Sequence, residues 1–109
     1  VLIMGLAFKE NCPDIWNTRV IDIINKLKEK NVNVDVYDPW VNLSEAKDEY
    51  DIEIVESPSK KKYDGILIAV AHNQFKEKGI EHIRSLGKKN HVLYDIKYLF
   101  KSGQSDLRL

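Results

Sequence analysis

Apolar residues fall along the chain in two rhythms. Val1-Leu2-Ile3-Met4 and Ile66-Leu67-Ile68-Ala69-Val70 are unbroken runs, the pattern of strands buried on both faces. Val20, Ile24 and Leu27, with Ile21 and Ile23 beside them, recur at helical spacing. Asn17 or Thr18 is placed to cap that helix and Asn31 to close it. Val32, Val34 and Val36 alternate with Asn33 and Asp35, which predicts a second strand stopping at Asp38-Pro39. Residues 44–50 predict a short helix capped by Ser44. Ile52 to Val55 predicts a short strand, and Ser57 to Lys62 a solvated connector. Gln74 to Gly87 predicts helical turns broken near Gly79, and His91 to Tyr94 a last strand ending at Asp95. Residues 96–109 read as loop with at most one turn.

Strands alternating with helices, and strands apolar on both faces, predict an α/β fold. The expected architecture is a Rossmann-like three-layer sandwich around a mostly parallel sheet. Such sheets bind ligands beyond the carboxyl ends of their strands. That rule selects Gly5 to Trp16, Asp38 to Trp40, Ala71 to Asn73 and Asp95 to Tyr98, and predicts that they share one edge.

Charge and length narrow the partners. Lys plus Arg is 17 and Asp plus Glu is 17, a net charge of zero, so the basic excess of a nucleic-acid or membrane-surface protein is missing. No apolar run approaches the ~18 residues that span a bilayer. One cysteine makes no internal disulfide and fits a reducing, cytoplasmic setting. The chain starts at Val1 inside what reads as a core strand, and its one methionine, Met4, lies within that strand. Residues 1–109 are therefore expected to be a single domain excised from a longer protein.

Several chemistries compete for the selected edge. Dinucleotide binding needs G-x-G-x-x-G after the first strand, and Gly5 stands alone with Phe8 and Lys9 behind it. Asp38 at the end of the second strand resembles a ribose-binding acid, but without the glycines the chain is not expected to hold NAD by itself. A receiver-type phosphorylation site lacks its acids after Gly5. Cys12 lies near Lys9 but has no histidine near it in sequence to make a thiolate, and reads as a half-buried small residue. Lys9 and Lys97 each follow a strand at this edge and supply point charges suited to a phosphate, unless they are ordinary solvated lysines. Phe8 and Tyr98 could flank a base or sugar. His72 reads as a strand-end cap before it reads as a reactive group. Trp16 and Trp40 suit either a ligand face or contact with another domain.

The stretch "GLAFKENCPDIWNTRVIDIINKL" resembles the opening of the C-terminal domain of the UDP-glucose/GDP-mannose dehydrogenase superfamily. "VDVYDPW", "GILIAVAHNQF" and "VLYDIKYLF…SDLRL" resemble its later blocks in order, so the likeness covers nearly the whole chain. It is most similar to the UDP-N-acetylhexosamine 6-dehydrogenases of polysaccharide biosynthesis.

The resemblance implies a UDP-sugar-binding domain. The longer enzyme would be an NAD-dependent oxidoreductase that takes the C6 alcohol of a UDP-sugar to the carboxylate. An N-terminal NAD-binding domain and a central domain of the same protein would be its partners, in a homo-oligomer. Phe8 and Lys9 match the F-K pair that contacts the UDP-sugar, and Lys97 matches a basic position on the same ligand. The catalytic-cysteine motif is absent and Cys12 does not match it, so these residues are expected to bind without catalysing, and no metal site is expected. The arginine of the family's D-x-R motif, which reaches to NAD, falls on Trp16; Arg19, three residues on, is the candidate to replace it. The alternative is a non-catalytic assembly domain with no nucleotide affinity of its own, whose edge loops bury against partner domains.

Overall fold

Leu2–Met4 forms β1, three residues buried on both faces. In the computed structural model, which describes residues 1–108, β1 lies inside a five-stranded parallel sheet. Its neighbours are β2 (Asp35–Tyr37) and β3 (Tyr63–Ile68). Beyond β3 come β4 (Gly87–Asp95) and β5 (Leu107–Arg108), giving the order β2-β1-β3-β4-β5. All four strand pairings are parallel. The strand order reverses between β1 and β3, the switch point of a doubly wound sheet.

Alternation along each inner strand feeds two cores. Ile3 and Leu67 face one side, where α1 (Val20–Glu29) and α2 (Leu43–Tyr50) pack through Val20, Ile24 and Ala46. Leu2, Met4, Ile66 and Ile68 face the other, against Phe75 of α3 (Asn73–Lys78) and Ile83 of α4 (Ile80–Ser85). Both faces are covered by helix, so the three-layer α/β architecture is as expected.

The differences from expectation lie at element ends. Thr18 does accept the Val20 N–H through Oγ1 at 3.3 Å, while Asn17 spends itself on a left-handed turn at φ 61°. Asn31 closes α1 at φ 61°, with Val32 N–H donating to the Leu27 carbonyl. The second helix is capped by Asn42, whose Oδ1 accepts from Glu45 N–H at 3.1 Å, not by Ser44. Ile52 to Val55 makes only an isolated bridge, Ile54 to Val36, because it lies outside the edge strand β2. The β3 strand starts three residues before the apolar run, where Tyr63 hydroxyl donates to Asp35 at 2.7 Å. Gly79 separates α3 from α4 at φ 87°, as predicted.

The largest difference is at the C-terminal end. The expected single turn exists at Ser102–Gln104, but Leu107–Arg108 then adds β5 beside β4. Two residues carry no periodicity, so nothing local announces a strand. Asp106 docks it: its carboxylate accepts Leu93 N–H at 2.8 Å and pairs with the Arg84 guanidinium at 3.2 Å. Leu109, also read as loop, lies outside the described residues.

Candidate functional site at the carboxyl edge

The four selected stretches do share one edge, following β1, β2, β3 and β4 in turn. The chain leaves β1 through Gly5 at φ 106°, and a Cβ there would sit 2.6 Å from Val70 Cβ. Only glycine fits both the left-handed backbone and that contact. Leu6 and Ala7 then turn their N–H groups onto Asp38 Oδ2 at 2.7 and 2.9 Å. Asp38 Oδ1 accepts Trp40 N–H at 2.8 Å. Burial pushes the Asp38 carboxyl up, yet the bonds from His72, Leu6 and Ala7 outweigh it and hold it below the ordinary carboxylate value.

Asp38 is therefore no ribose acid. It is 3% exposed and both oxygens are engaged within the protein. His72 is fully buried behind it, with Nε2 2.9 Å from Asp38 Oδ2 and Nδ1 accepting Asn11 N–H at 2.9 Å. Both ring nitrogens are spent, so His72 is not a free base. Cys12, half-buried beside Asn11, gains no activating partner from it. Trp40 covers the histidine at 6.3 Å between ring centres and ties its own Nε1–H to Gln74.

Phe8, Lys9 and Lys97 come together. They line one cleft of about 270 Å³ with Thr18, Arg19 and Ile96. Phe8 is 54% exposed, and Lys9, Arg19 and Lys97 are exposed as well. Among the described residues, none of these cations has a carboxylate within ion-pairing distance; Glu10 lies at the same rim. Three cations against one acid make the cleft electropositive in a chain of zero net charge.

A second buried aspartate supports the turn that brings Lys97 to the cleft. Asp95, fully buried at the end of β4, accepts Leu99 N–H through Oδ1 at 3.0 Å and Phe100 N–H through Oδ2 at 2.9 Å. That closes the turn carrying Lys97 and Tyr98, with Tyr98 at φ 55°. The Arg108 guanidinium of β5 lies 4.1 Å from the Tyr98 ring centre, a cation–π contact. Residue order alone did not reveal Arg19 as a lining group, nor Asp38, His72 and Asp95 as loop anchors. For Asp38, His72 and Asp95 the available signal was their position at or just after strand ends.

Trp16 is 58% exposed and lies outside the cleft-lining set. Its backbone N–H donates to Asp14 Oδ1 at 2.8 Å, which fixes the turn and leaves the indole facing solvent. A tryptophan there offers a ring face and one N–H, with no charge.

Comparison with known proteins adds sequence and fold relatives. The profile of the UDP-glucose/GDP-mannose dehydrogenase family, UDP binding domain, matches residues 2–102. The UDP-N-acetyl-D-glucosamine 6-dehydrogenase of Pseudomonas aeruginosa is 59% identical over 109 residues, all of this chain and 26% of that protein. Its counterpart from Salmonella typhi is 51% identical over the same span, again 26% of its length. The chain thus spans about a quarter of these curated relatives. Among solved structures, the UDP-N-acetyl-mannosamine dehydrogenase Cap5O from S. aureus superposes with a TM-score of 0.68 at 28% identity, covering 93% of this chain and 22% of that one. A UDP-glucose dehydrogenase from Pyrobaculum islandicum gives 0.70 at 26% identity, with 98% and 24% covered.

Proposed function

The chain belongs to the UDP-glucose/GDP-mannose dehydrogenase family, as its UDP-binding domain, and from that premise we propose that the Phe8–Lys9–Lys97 cleft receives the diphosphate end of a UDP-sugar. The observation that carries this reading is convergence. Lys9 follows β1 and Lys97 follows β4, yet they line one cleft without an internal counter-ion among the described residues. A diphosphate supplies the missing negative charge. Phe8 offers an apolar flank to the sugar or base, and Arg19 adds a planar donor to the same lining.

Size supports a shared site. About 270 Å³ falls below the ~300–1,000 Å³ that normally buries a ligand of this class. A second surface has to complete the enclosure. We therefore propose that residues 1–109 are the C-terminal domain of a longer cytoplasmic enzyme, closing over the nucleotide against its NAD-binding and central domains, in a homo-oligomer. The proposed reaction of that enzyme is NAD-dependent oxidation of the C6 alcohol of a UDP-N-acetylhexosamine to the carboxylate. NAD, when bound, supplies the hydride acceptor. This chain's part is to grip the diphosphate and shed water from the closed site. Toward NAD it presents Trp16, one N–H and a ring face, where the wider family has an arginine.

Titration of UDP into the ¹⁵N-labelled chain tests the reading. Shifts are expected at residues 5–10, 18–20 and 96–98. Lys9→Ala should weaken binding by about 1.5–3 kcal/mol, roughly 10- to 150-fold. Unmoved resonances at those positions at millimolar UDP would refute the site. Self-association with concentration and no nucleotide response would favour an assembly role.

A further inference from the structure

We propose that His72 is a positioning residue for the nucleotide loop: as the neutral Nε2–H tautomer it ties Asn11 to Asp38 and so sets where Phe8 and Lys9 meet the diphosphate. This rests on the ligand reading of the cleft just given. The tautomer follows from donor arithmetic. A backbone N–H only donates, so the 2.9 Å bond from Asn11 requires a lone pair on Nδ1. The ring proton then sits on Nε2, 2.9 Å from an Asp38 oxygen that can only accept while ionised.

That arrangement suspends the ligand loop between two fixed points. Upstream, Ala7 N–H is held on Asp38 Oδ2; downstream, Asn11 N–H is held on His72, which is held on the same oxygen. Phe8, Lys9 and Glu10 are the exposed span between them. The frame is reinforced from both ends. Phe8 N–H donates to the Asp14 carbonyl at 2.6 Å, and Asn11 Oδ1 accepts Asn73 N–H at 2.8 Å. Asn11 itself sits at φ 55°, a left-handed conformation that asparagine tolerates and that turns its N–H inward. Phe75 packs edge-on to the imidazole at 5.3 Å, and Trp40 lies over it, so the ring is locked by packing as well as by hydrogen bonds. An exposed binding span set by a buried support of this kind holds its geometry before the ligand arrives.

Two substitutions separate the two ring nitrogens. Asn at 72 places an amide oxygen near Nδ1 and keeps an acceptor for Asn11. Gln at 72 reaches toward Nε2 and keeps a donor for Asp38 but loses that acceptor. In His72→Gln, the Asn11 amide should exchange with solvent at least about tenfold faster and UDP affinity should fall about tenfold. His72→Asn should rescue most of both. Equal UDP affinity in wild type and both variants, or an Asn11 amide that exchanges no faster in His72→Gln than in wild type, overturns the positioning role. If neither variant folds, the wild-type imidazole decides: ¹⁵N spectra must show Nδ1 unprotonated and scalar-coupled to the Asn11 amide, and a protonated Nδ1 overturns the proposal. A wild type that ignores UDP while Asn11 follows the predicted exchange pattern sinks the ligand reading and leaves the clamp itself intact.

Discussion

Two loops bring cations to the cleft, and each is built on a buried aspartate in a different way. Asp95 caps its own turn: the amides it accepts, from Leu99 and Phe100, are four and five residues further along. Asp38 reaches out of its own segment. It gathers amides from the loop after β1, more than thirty residues earlier, and the histidine after β3, thirty-four residues later. The Lys97 loop is therefore secured by local chemistry, while the Phe8–Lys9 loop is secured by the assembled sheet. Placement of Lys9 depends on β1, β2 and β3 together; placement of Lys97 depends chiefly on β4 and its own turn.

Removing each anchor is the most forceful way to break this comparison. Asp38→Ala strands two buried amides, the partly buried Trp40 amide and a fully buried imidazole, and should cost about 3–5 kcal/mol in urea unfolding. Asp95→Ala strands two amides at a partly exposed turn and should cost about 1–3 kcal/mol. Equal losses would erase the distinction between local and assembled anchoring. Next in size is the strand exit: Gly5→Ala meets both a left-handed backbone and Val70. It should cost about 1–3 kcal/mol and disturb the Phe8 and Lys9 resonances before those of Lys97.

Acid sharpens the same contrast. The Asp38 carboxyl is held below its ordinary value, so its contribution is complete above the unfolded carboxylate value of about 3.9 and is lost as pH falls through the folded one. The stability gap between wild type and Asp38→Asn should therefore shrink on acidification below about pH 4. A gap that stays constant would mean that the charge on Asp38 contributes nothing. The smallest effect belongs to Cys12. It is half-buried, and His72, which is bonded to the preceding Asn11, is fully engaged. Cys12→Ser should change stability by no more than about 0.5 kcal/mol and leave UDP binding as it was.

Much of the fold was legible in residue order. Unbroken apolar runs marked the inner strands, the Val20–Ile24–Leu27 spacing marked α1, and Gly79 marked the break between α3 and α4. Phe8, Lys9 and Lys97 could be selected because strand ends in a parallel sheet all meet ligands at one edge. What escaped was whatever depends on a partner distant in sequence. The β5 strand has two residues and exists because Asp106 bonds to Leu93 and Arg84. Asp38 looked like a ligand acid because its position after β2 is the same whether it faces solvent or three buried donors.

The sequence by itself determined the class of this protein. Side-chain periodicity decides which faces must leave water, and that local requirement leaves few architectures open. The F-K pair, the later aspartate–lysine and the family's motifs also pointed to a nucleotide sugar. Only the tertiary structure decided which groups are exposed and which are already spent. Hydrogen-bond capacity is finite, and closing the sheet assigned the lone pairs of Asp38, His72 and Asp95 to backbone amides and to one another. Among the described residues lining the cleft, that left Lys9, Lys97 and Arg19 with charge to offer.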